Sequence, residues 1–258
     1  MNRYDLMMEA LTELKPEIDS ARRLKPIPAQ PSLSSVLAEY GPMPGEALFM
    51  GIASDGLPML LNLHDPIPGP LLIVGDAGAG KTNLLQIIAR AAEIMHQPEE
   101  IQFGALTSHP EEWSGFDQSQ NNIGVFPFDG DASQDIIQSL ASWAHGNKSS
   151  KQSVLILLDD LEAASNLGFD ARQNLRWLLL RGPARRVWPI ITLNPERLEN
   201  IEPWLDAFHT RIFGAIRDPQ HTRQLGVEDA ELDTLDMGTQ FSIKEGKHWL
   251  RFWTPGMD

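Results

Sequence analysis

Apolar residues in this chain fall into short solid runs, separated by stretches with helical spacing. Pro70 to Val74, Ile101 to Leu106, Ile123 to Phe128, Val154 to Leu158 and Val187 to Leu193 are apolar almost throughout. Runs of that length without alternation fit strands buried on both faces. Between them, 83–93, 131–145 and 170–180 repeat apolar residues every three or four positions, as with Ile136, Ile137, Leu140 and Trp143. That spacing marks one face of a helix. Strands alternating with helices predict a mainly parallel central sheet flanked by helices, an α/β fold.

Two other pairs of runs predict β-hairpins. Residues 47–52 and 59–63 flank the turn Ser54-Asp55-Gly56, and 240–244 and 248–252 flank Glu245-Gly246. Pro58 falls just before its strand, where a missing N–H is tolerated. Arg211 to Ile216 reads as a further strand and Asp218 to Gln224 as a short helix. Thr107 to Gln120 reads as polar loop, and 226–237 as an acidic loop or helix. Upstream, Tyr4, Leu6, Met7, Leu11, Leu14 and Ile18 have helical spacing, with Pro16 as a kink or break. Residues 25–32 are a proline-rich connector, and Ser32 caps a second short helix to Tyr40. The expected division is a helical arm and linker over 1–45 and a catalytic body over 46–258. The arm either packs on its own core or docks on a neighbouring subunit or partner protein.

The 258 residues suffice for one large α/β domain with such an arm. The absence of cysteine excludes disulfides, thiol catalysis and Cys-based metal sites. No apolar run approaches a membrane span, and the acidic N-terminal stretch is not a signal sequence, so a cytoplasmic location is expected. A net charge of −14 opposes free-standing nucleic-acid binding, although it leaves room for a local basic strip inside a ring. Arg172, Arg176, Arg181, Arg185 and Arg186 form such a cluster, either an inter-subunit or channel surface or a solvated helix face. The seven histidines lack metal-ligand spacing. The tryptophans lack regular spacing, which fits packing better than base stacking.

The chemistry concentrates in Gly75-Asp76-Ala77-Gly78-Ala79-Gly80-Lys81-Thr82-Asn83, between a predicted strand and a predicted helix. A G-x-x-x-x-G-K-T stretch in that context is a phosphate-binding loop. Its glycines let successive N–H groups point at phosphate oxygens, and the helix N-terminus adds positive potential. Lys81 would reach the β and γ phosphates of ATP, and Thr82 would hold Mg²⁺. Val154 to Leu158 runs into Asp159-Asp160, an apolar strand ending in carboxylates as a Walker B element requires. Asp159 is the expected Mg²⁺ ligand. Asp160 is the expected group that orients or deprotonates the attacking water. Asn194, at the end of the next strand, is either a sensor of the γ-phosphate or an ordinary turn residue before Pro195.

Beyond these motifs, Leu180-Arg181-Gly182-Pro183-Ala184-Arg185 leads into a strand ending in Thr192-Leu193-Asn194-Pro195, and Thr210-Arg211-Ile212 follows. This arrangement resembles the FtsK/SpoIIIE–HerA superfamily of motor ATPases over about residues 46–254. The resemblance implies a RecA-like core, a homo-oligomeric and usually hexameric ring, and ATP sites shared between subunits. It also implies DNA or a polypeptide as the cargo moved through the channel. Arg181 and Arg211 match positions from which a neighbour would complete the site, with Arg185 a weaker candidate. The chain departs from that pattern in three places. Asp160 stands where the family usually has glutamate, Asn194 stands for the sensor glutamine, and Ser108-His109-Pro110 stands for Asp-Pro-Lys. A shorter base makes slow hydrolysis in a nucleotide-gated assembly factor the alternative to a fast motor.

Overall fold

The protein is described from a computed structural model, over residues 30–258 apart from 148. The expected arm helix and most of the proline-rich connector lie outside the described residues. In chain order the elements are α1 (Leu33–Tyr40), β1 (Ala47–Ala53), β2 (Pro58–Asn62), β3 (Leu71–Val74) and α2 (Lys81–Met95). Then come β4 (Ile101–Thr107), β5 (Asn122–Pro127), α3 (Asp131–Gly146), β6 (Ser153–Asp159) and α4 (Phe169–Arg181). The chain continues with β7 (Val187–Leu193), α5 (Glu202–Leu205), β8 (Thr210–Phe213), α6 (Pro219–Leu225), β9 (Gln240–Glu245) and β10 (His248–Trp253).

All ten strands join one sheet in the order β2-β1-β10-β9-β8-β3-β7-β6-β4-β5. The run from β8 to β5 is parallel, and the two hairpins extend it antiparallel beyond β8. The solid apolar runs follow from burial on both faces. Along β6, Val154, Ile156 and Leu158 pack against α3 and α4, whereas Leu155 and Leu157 face α2. A strand covered on both sides has no polar face to alternate with. The first hairpin precedes β3 in the chain but lies at the far edge of the sheet, with β10, β9 and β8 between them.

Three segments differ from the sequence expectation. The polar loop at 107–120 contains a 3₁₀ segment, Pro110–Phe116, which buries Trp113 and Phe116 completely. Phe116 meets Phe103 edge-on with ring centroids 5.6 Å apart, and Arg90 lies 4.6 Å over its other face. Polar residues hid this because only two of the seven positions are anchors. The strand expected to reach Ile216 ends at Phe213, where the chain leaves the sheet to meet the glycine loop. Residues 226–237 are neither helix nor open loop but two short 3₁₀ turns, 228–230 and 232–234, held by buried Ala230, Leu232 and Leu235.

The stretch assigned to an arm partly belongs to the body. Ser32 caps α1, accepting from the Ser35 N–H, and Leu33, Val36 and Leu37 bury against Phe49, Ile52, Ile87 and Ala91. Ser32 bridges to Gly256, and the Asp258 carboxylate accepts hydrogen bonds from the N–H and hydroxyl of Ser34.

Glu46 and Arg186 link the first hairpin to the start of β7. Both adopt positive φ (62° and 68°), uncommon for residues with a side chain. The Arg186 guanidinium donates to Glu46 Oε2 at 2.7 Å and to the Leu63 carbonyl at 3.2 Å. This hydrogen bond is the main cause that holds the Glu46 carboxyl below its ordinary pKa. A depressed acid stabilises the fold above its unfolded pKa and loses that contribution as pH falls through the folded value. Glu46→Gln should therefore lower the melting temperature at neutral pH and converge with the wild type in acid. The expected loss is under about 1 kcal/mol, since both side chains reach solvent. Thermal melts of both proteins from pH 7 to pH 3 check this; a gap that widens in acid would contradict it.

Candidate nucleotide site

The site lies at the carboxyl ends of the parallel strands, the usual crevice in open α/β sheets. Residues 75–80 leave β3 and wrap into the start of α2. Gly78 and Gly80 have φ of 77° and 88°. Gly80 also has no room for a side chain, because a Cβ there would lie 2.3 Å from the Gly238 carbonyl oxygen. The 3₁₀ turns at 228–234 thus have a local purpose: they deliver residues 236–238 against the glycine loop. Asp76 fixes the loop from the other direction. Its N–H donates to the Ala215 carbonyl at 2.9 Å, and its carboxylate accepts from the Arg217 N–H at 2.8 Å.

Lys81 folds back into the loop, its ammonium donating to the carbonyls of Gly75 (2.8 Å) and Asp76 (2.9 Å). Burial lowers its pKa, against the pull of Asp159, Asp160, Asp76 and Glu196. Thr82, one residue on, donates to Asp159 Oδ2 at 2.8 Å. The phosphate loop and the Walker B carboxylate, 77 residues apart in sequence, are therefore in direct contact.

The strand between them makes the contact specific. β7 separates β3 from β6, and Thr192 near its end is fully buried. Its hydroxyl donates to Asp159 Oδ1 at 2.9 Å and accepts from the Asp160 N–H at 2.7 Å. Asp160 has φ of 95°, a strained conformation for a residue with a Cβ. Its Oδ1 accepts from the Glu162 N–H at 3.0 Å, and its Oδ2 lies 3.7 Å from the Arg197 guanidinium. Arg197 is also bonded to the Glu162 carboxylate.

The residues fit a magnesium nucleotide. Backbone N–H groups of a glycine cradle, a lysine and a threonine hydroxyl against a carboxylate supply phosphate donors and two oxygens for a cation. Among the described residues no group of three or more His, Cys, Asp or Glu could hold a metal by itself. Mg²⁺ needs no such cage, because one or two protein oxygens, water and phosphate complete its shell.

The other expected residues divide. Asn194 sits at the end of β7, where its carboxamide oxygen accepts from the Glu196 N–H and caps the 3₁₀ turn Pro195–Asn200. Asn83 is at the start of α2, its side chain 3.5 Å from the Thr254 hydroxyl. Ala77 and Ala79 complete the loop, Ala79 fully buried against Gly75 and Gly214. Arg211 lies on β8 opposite Leu72, its guanidinium bonded to the carbonyls of Leu205 and Phe208. Arg181 ends α4 at the amino edge of the sheet and is exposed. The length of β7, about 23 Å at strand rise, separates it from its own glycine loop.

The arginine cluster also separates. Arg186 pairs with Glu46, Arg185 donates to the Asn147 carbonyl, and Arg176 lies 5.8 Å over the Trp204 ring. Sequence reasoning missed Thr192, Glu196 and Arg197. The signal available was their position within five residues of the end of the strand after Walker B.

The fold is a RecA-like P-loop ATPase fold, shared with solved structures of low sequence identity. The cytoplasmic domain of the Type VII secretion ATPase EccC from Thermomonospora curvata superposes with a TM-score of 0.69 at 13% identity, over 91% of this chain and 29% of that one. EssC (ATPases 2 and 3) from Geobacillus thermodenitrificans gives 0.67 at 14% identity, over 91% and 48%. The genome packaging NTPase B204 of Sulfolobus turreted icosahedral virus 2, solved with AMPPCP, gives 0.52 at 14%, over 75% and 100%. The chain thus spans less than half of the EccC and EssC chains. No protein-family model matches the sequence. No curated protein matches it either. Among the described residues no helix is long and apolar enough to cross a membrane.

Thr192→Val keeps the shape of the side chain and removes the hydroxyl that joins the two acids. It should destabilise the protein by about 1–3 kcal/mol, the range for leaving buried polar partners unsatisfied. Urea unfolding of the variant without nucleotide checks this, and an unchanged midpoint would mean that the bridge contributes nothing.

Proposed function

We propose that this chain is a Mg²⁺-dependent ATPase domain of FtsK/SpoIIIE–HerA type, acting in a ring whose subunits share ATP sites and move DNA through the centre. The contact that carries this reading is the Thr82–Asp159 hydrogen bond, which joins the glycine loop to the Walker B acid beside a half-buried lysine. Thr82 and Asp159 are the residues that would hold Mg²⁺, and the bound ion would neutralise charge on the β and γ phosphates. The loop N–H groups and Lys81 bind and orient the triphosphate. Asp160 orients the attacking water and takes its proton as the water oxygen bonds to the γ-phosphorus, and the bond to the β-γ bridging oxygen breaks to release ADP.

Arg181 suits completion of a neighbour's site, being exposed and remote from its own loop. Arg211 is less suited, because carbonyls of its own segment already hold its guanidinium. Asn194 senses the γ-phosphate through its NH₂ group while its oxygen caps the following turn. A cytoplasmic location and docking through the N-terminal arm belong to the same reading. The secretion ATPase that shares the fold makes polypeptide the alternative cargo, whereas the genome packaging NTPase favours nucleic acid. Slow, nucleotide-gated assembly is the second reading. It is favoured by the short Asp160 side chain, both of whose oxygens already face a partner.

Lys81→Ala should reduce turnover to background and abolish nucleotide binding. Asp160→Asn should lower turnover by about 100-fold or more while leaving binding within a few-fold. Phosphate release and calorimetric nucleotide titration measure the two effects, and survival of hydrolysis in Lys81→Ala would overturn the mechanism. Stimulation by DNA at low salt separates DNA from polypeptide cargo. Electron micrographs with and without ATP test the ring.

A further inference from the structure

Arg197 has no part in the reaction described above, yet it stands in the site. It lies on the turn after β7, four residues past the end of the strand whose Thr192 ties the acids together. Its neighbour Glu196 is near enough to act on the Lys81 ammonium. Its guanidinium is bonded to Glu162 and stands 3.7 Å from Asp160 Oδ2, too long for a hydrogen bond. The side chain is 49% exposed. It is therefore held at one carboxylate and loosely associated with another, with about half of its surface open to solvent.

Two features make this arrangement one of exchange. First, the carboxylates of Asp159, Asp160, Asp76 and Glu196 all act on Lys81, and those of Glu162 and Asp160 face Arg197. A bare triphosphate entering such a field is repelled, and a cation that can turn toward it offsets part of that repulsion. Second, a guanidinium presents five N–H donors in a plane and stays charged at any working pH. A terminal phosphate, with three charged oxygens, is a better partner than a carboxylate oxygen at 3.7 Å.

We propose that Arg197 is the residue by which this site distinguishes a nucleoside triphosphate from a diphosphate, leaving Asp160 to bond the terminal phosphate. The same movement uncovers Asp160 Oδ2. Its Oδ1 remains fixed by the Glu162 N–H, so the carboxylate keeps its orientation while gaining lone pairs for water. Sensing the third phosphate and readying the water-orienting group are then one event within one subunit, separate from any arginine that a neighbour contributes. This inference rests on the nucleotide site proposed above.

The test is equilibrium binding of ATPγS and of ADP, each with Mg²⁺, to the full chain by titration calorimetry. In Arg197→Ala, affinity for ATPγS should fall about tenfold or more, the usual size of a lost charge-assisted hydrogen bond, while affinity for ADP stays within about twofold. Arg197→Lys should recover part of the preference. Glu162→Gln, which loosens the competing partner, should raise it above wild type, and this variant removes no contact to the nucleotide. Equal losses for both nucleotides, or an unchanged ratio in Arg197→Ala and Glu162→Gln, would overturn the inference and leave the nucleotide site intact. A wild-type protein that binds neither nucleotide would overturn both.

Discussion

The site depends on one buried hydroxyl. Thr192 holds Asp159 with its proton and the Asp160 backbone with its lone pair. Asp159 in turn accepts from Thr82, so a single chain of hydrogen bonds runs from the glycine loop across β7 to the end of β6. Motifs placed Thr82 and Asp159, but nothing in the local sequence placed Thr192 between them. Their convergence follows from strand order, because only a sheet with β7 between β3 and β6 brings position 192 between 82 and 159. The strain at Asp160 belongs to the same arrangement. Its φ of 95° turns the chain out of β6 so that its carboxylate faces the 195–200 turn instead of continuing the strand. Strain of this kind costs on the order of 1–3 kcal/mol and persists where the surroundings fix the conformation. Here the Thr192 hydroxyl and the Glu162 N–H do so.

Much of the fold was legible because its strands are buried on both faces. Val187–Leu193 was readable to the residue, and β1, β4 and β6 to within one position at each end. The hairpins were legible through their turn residues. What sequence could not provide was strand order: the first hairpin is adjacent to β3 in the chain and four strands away in the sheet. Segments that pack through one or two anchors also escaped it. Trp113 and Phe116 bury fully within a stretch whose other residues are mostly polar, so periodicity carries no signal there. The two 3₁₀ turns at 228–234 were obscured by their acidic residues for the same reason.

The site was legible where a motif specifies backbone shape and illegible where it depends on side chains meeting. Glycines at 78 and 80 announce a positive-φ loop, and two aspartates after an apolar run announce the end of a strand. Arginines announce only charge. Five that fall within fifteen residues of sequence scatter in space, because a helix, a turn and a strand start point them in different directions. Arg186 holds the hairpin, Arg176 covers Trp204, Arg185 donates to the Asn147 carbonyl, and Arg181 stands as an exposed cation at the amino edge of the sheet. The arginine nearest the Walker B acids, Arg197, lay outside that cluster altogether.

Charge balance connects the two ends of the molecule. The acids acting on Lys81 outnumber it, so a triphosphate would bind well there only when positive charge is brought in. On the readings proposed above, three sources would supply it: a divalent ion at Thr82 and Asp159, Arg197 of the same chain, and an exposed arginine from a neighbour. The first two are assembled within one subunit. Arg181 cannot be, since the length of β7 lies between it and its own loop. A monomer of this fold would then be able to bind and sense nucleotide but would lack part of the charge needed to stabilise the transferring phosphoryl group. On the function proposed above, hydrolysis would be tied to assembly by geometry, without any conformational relay through the core.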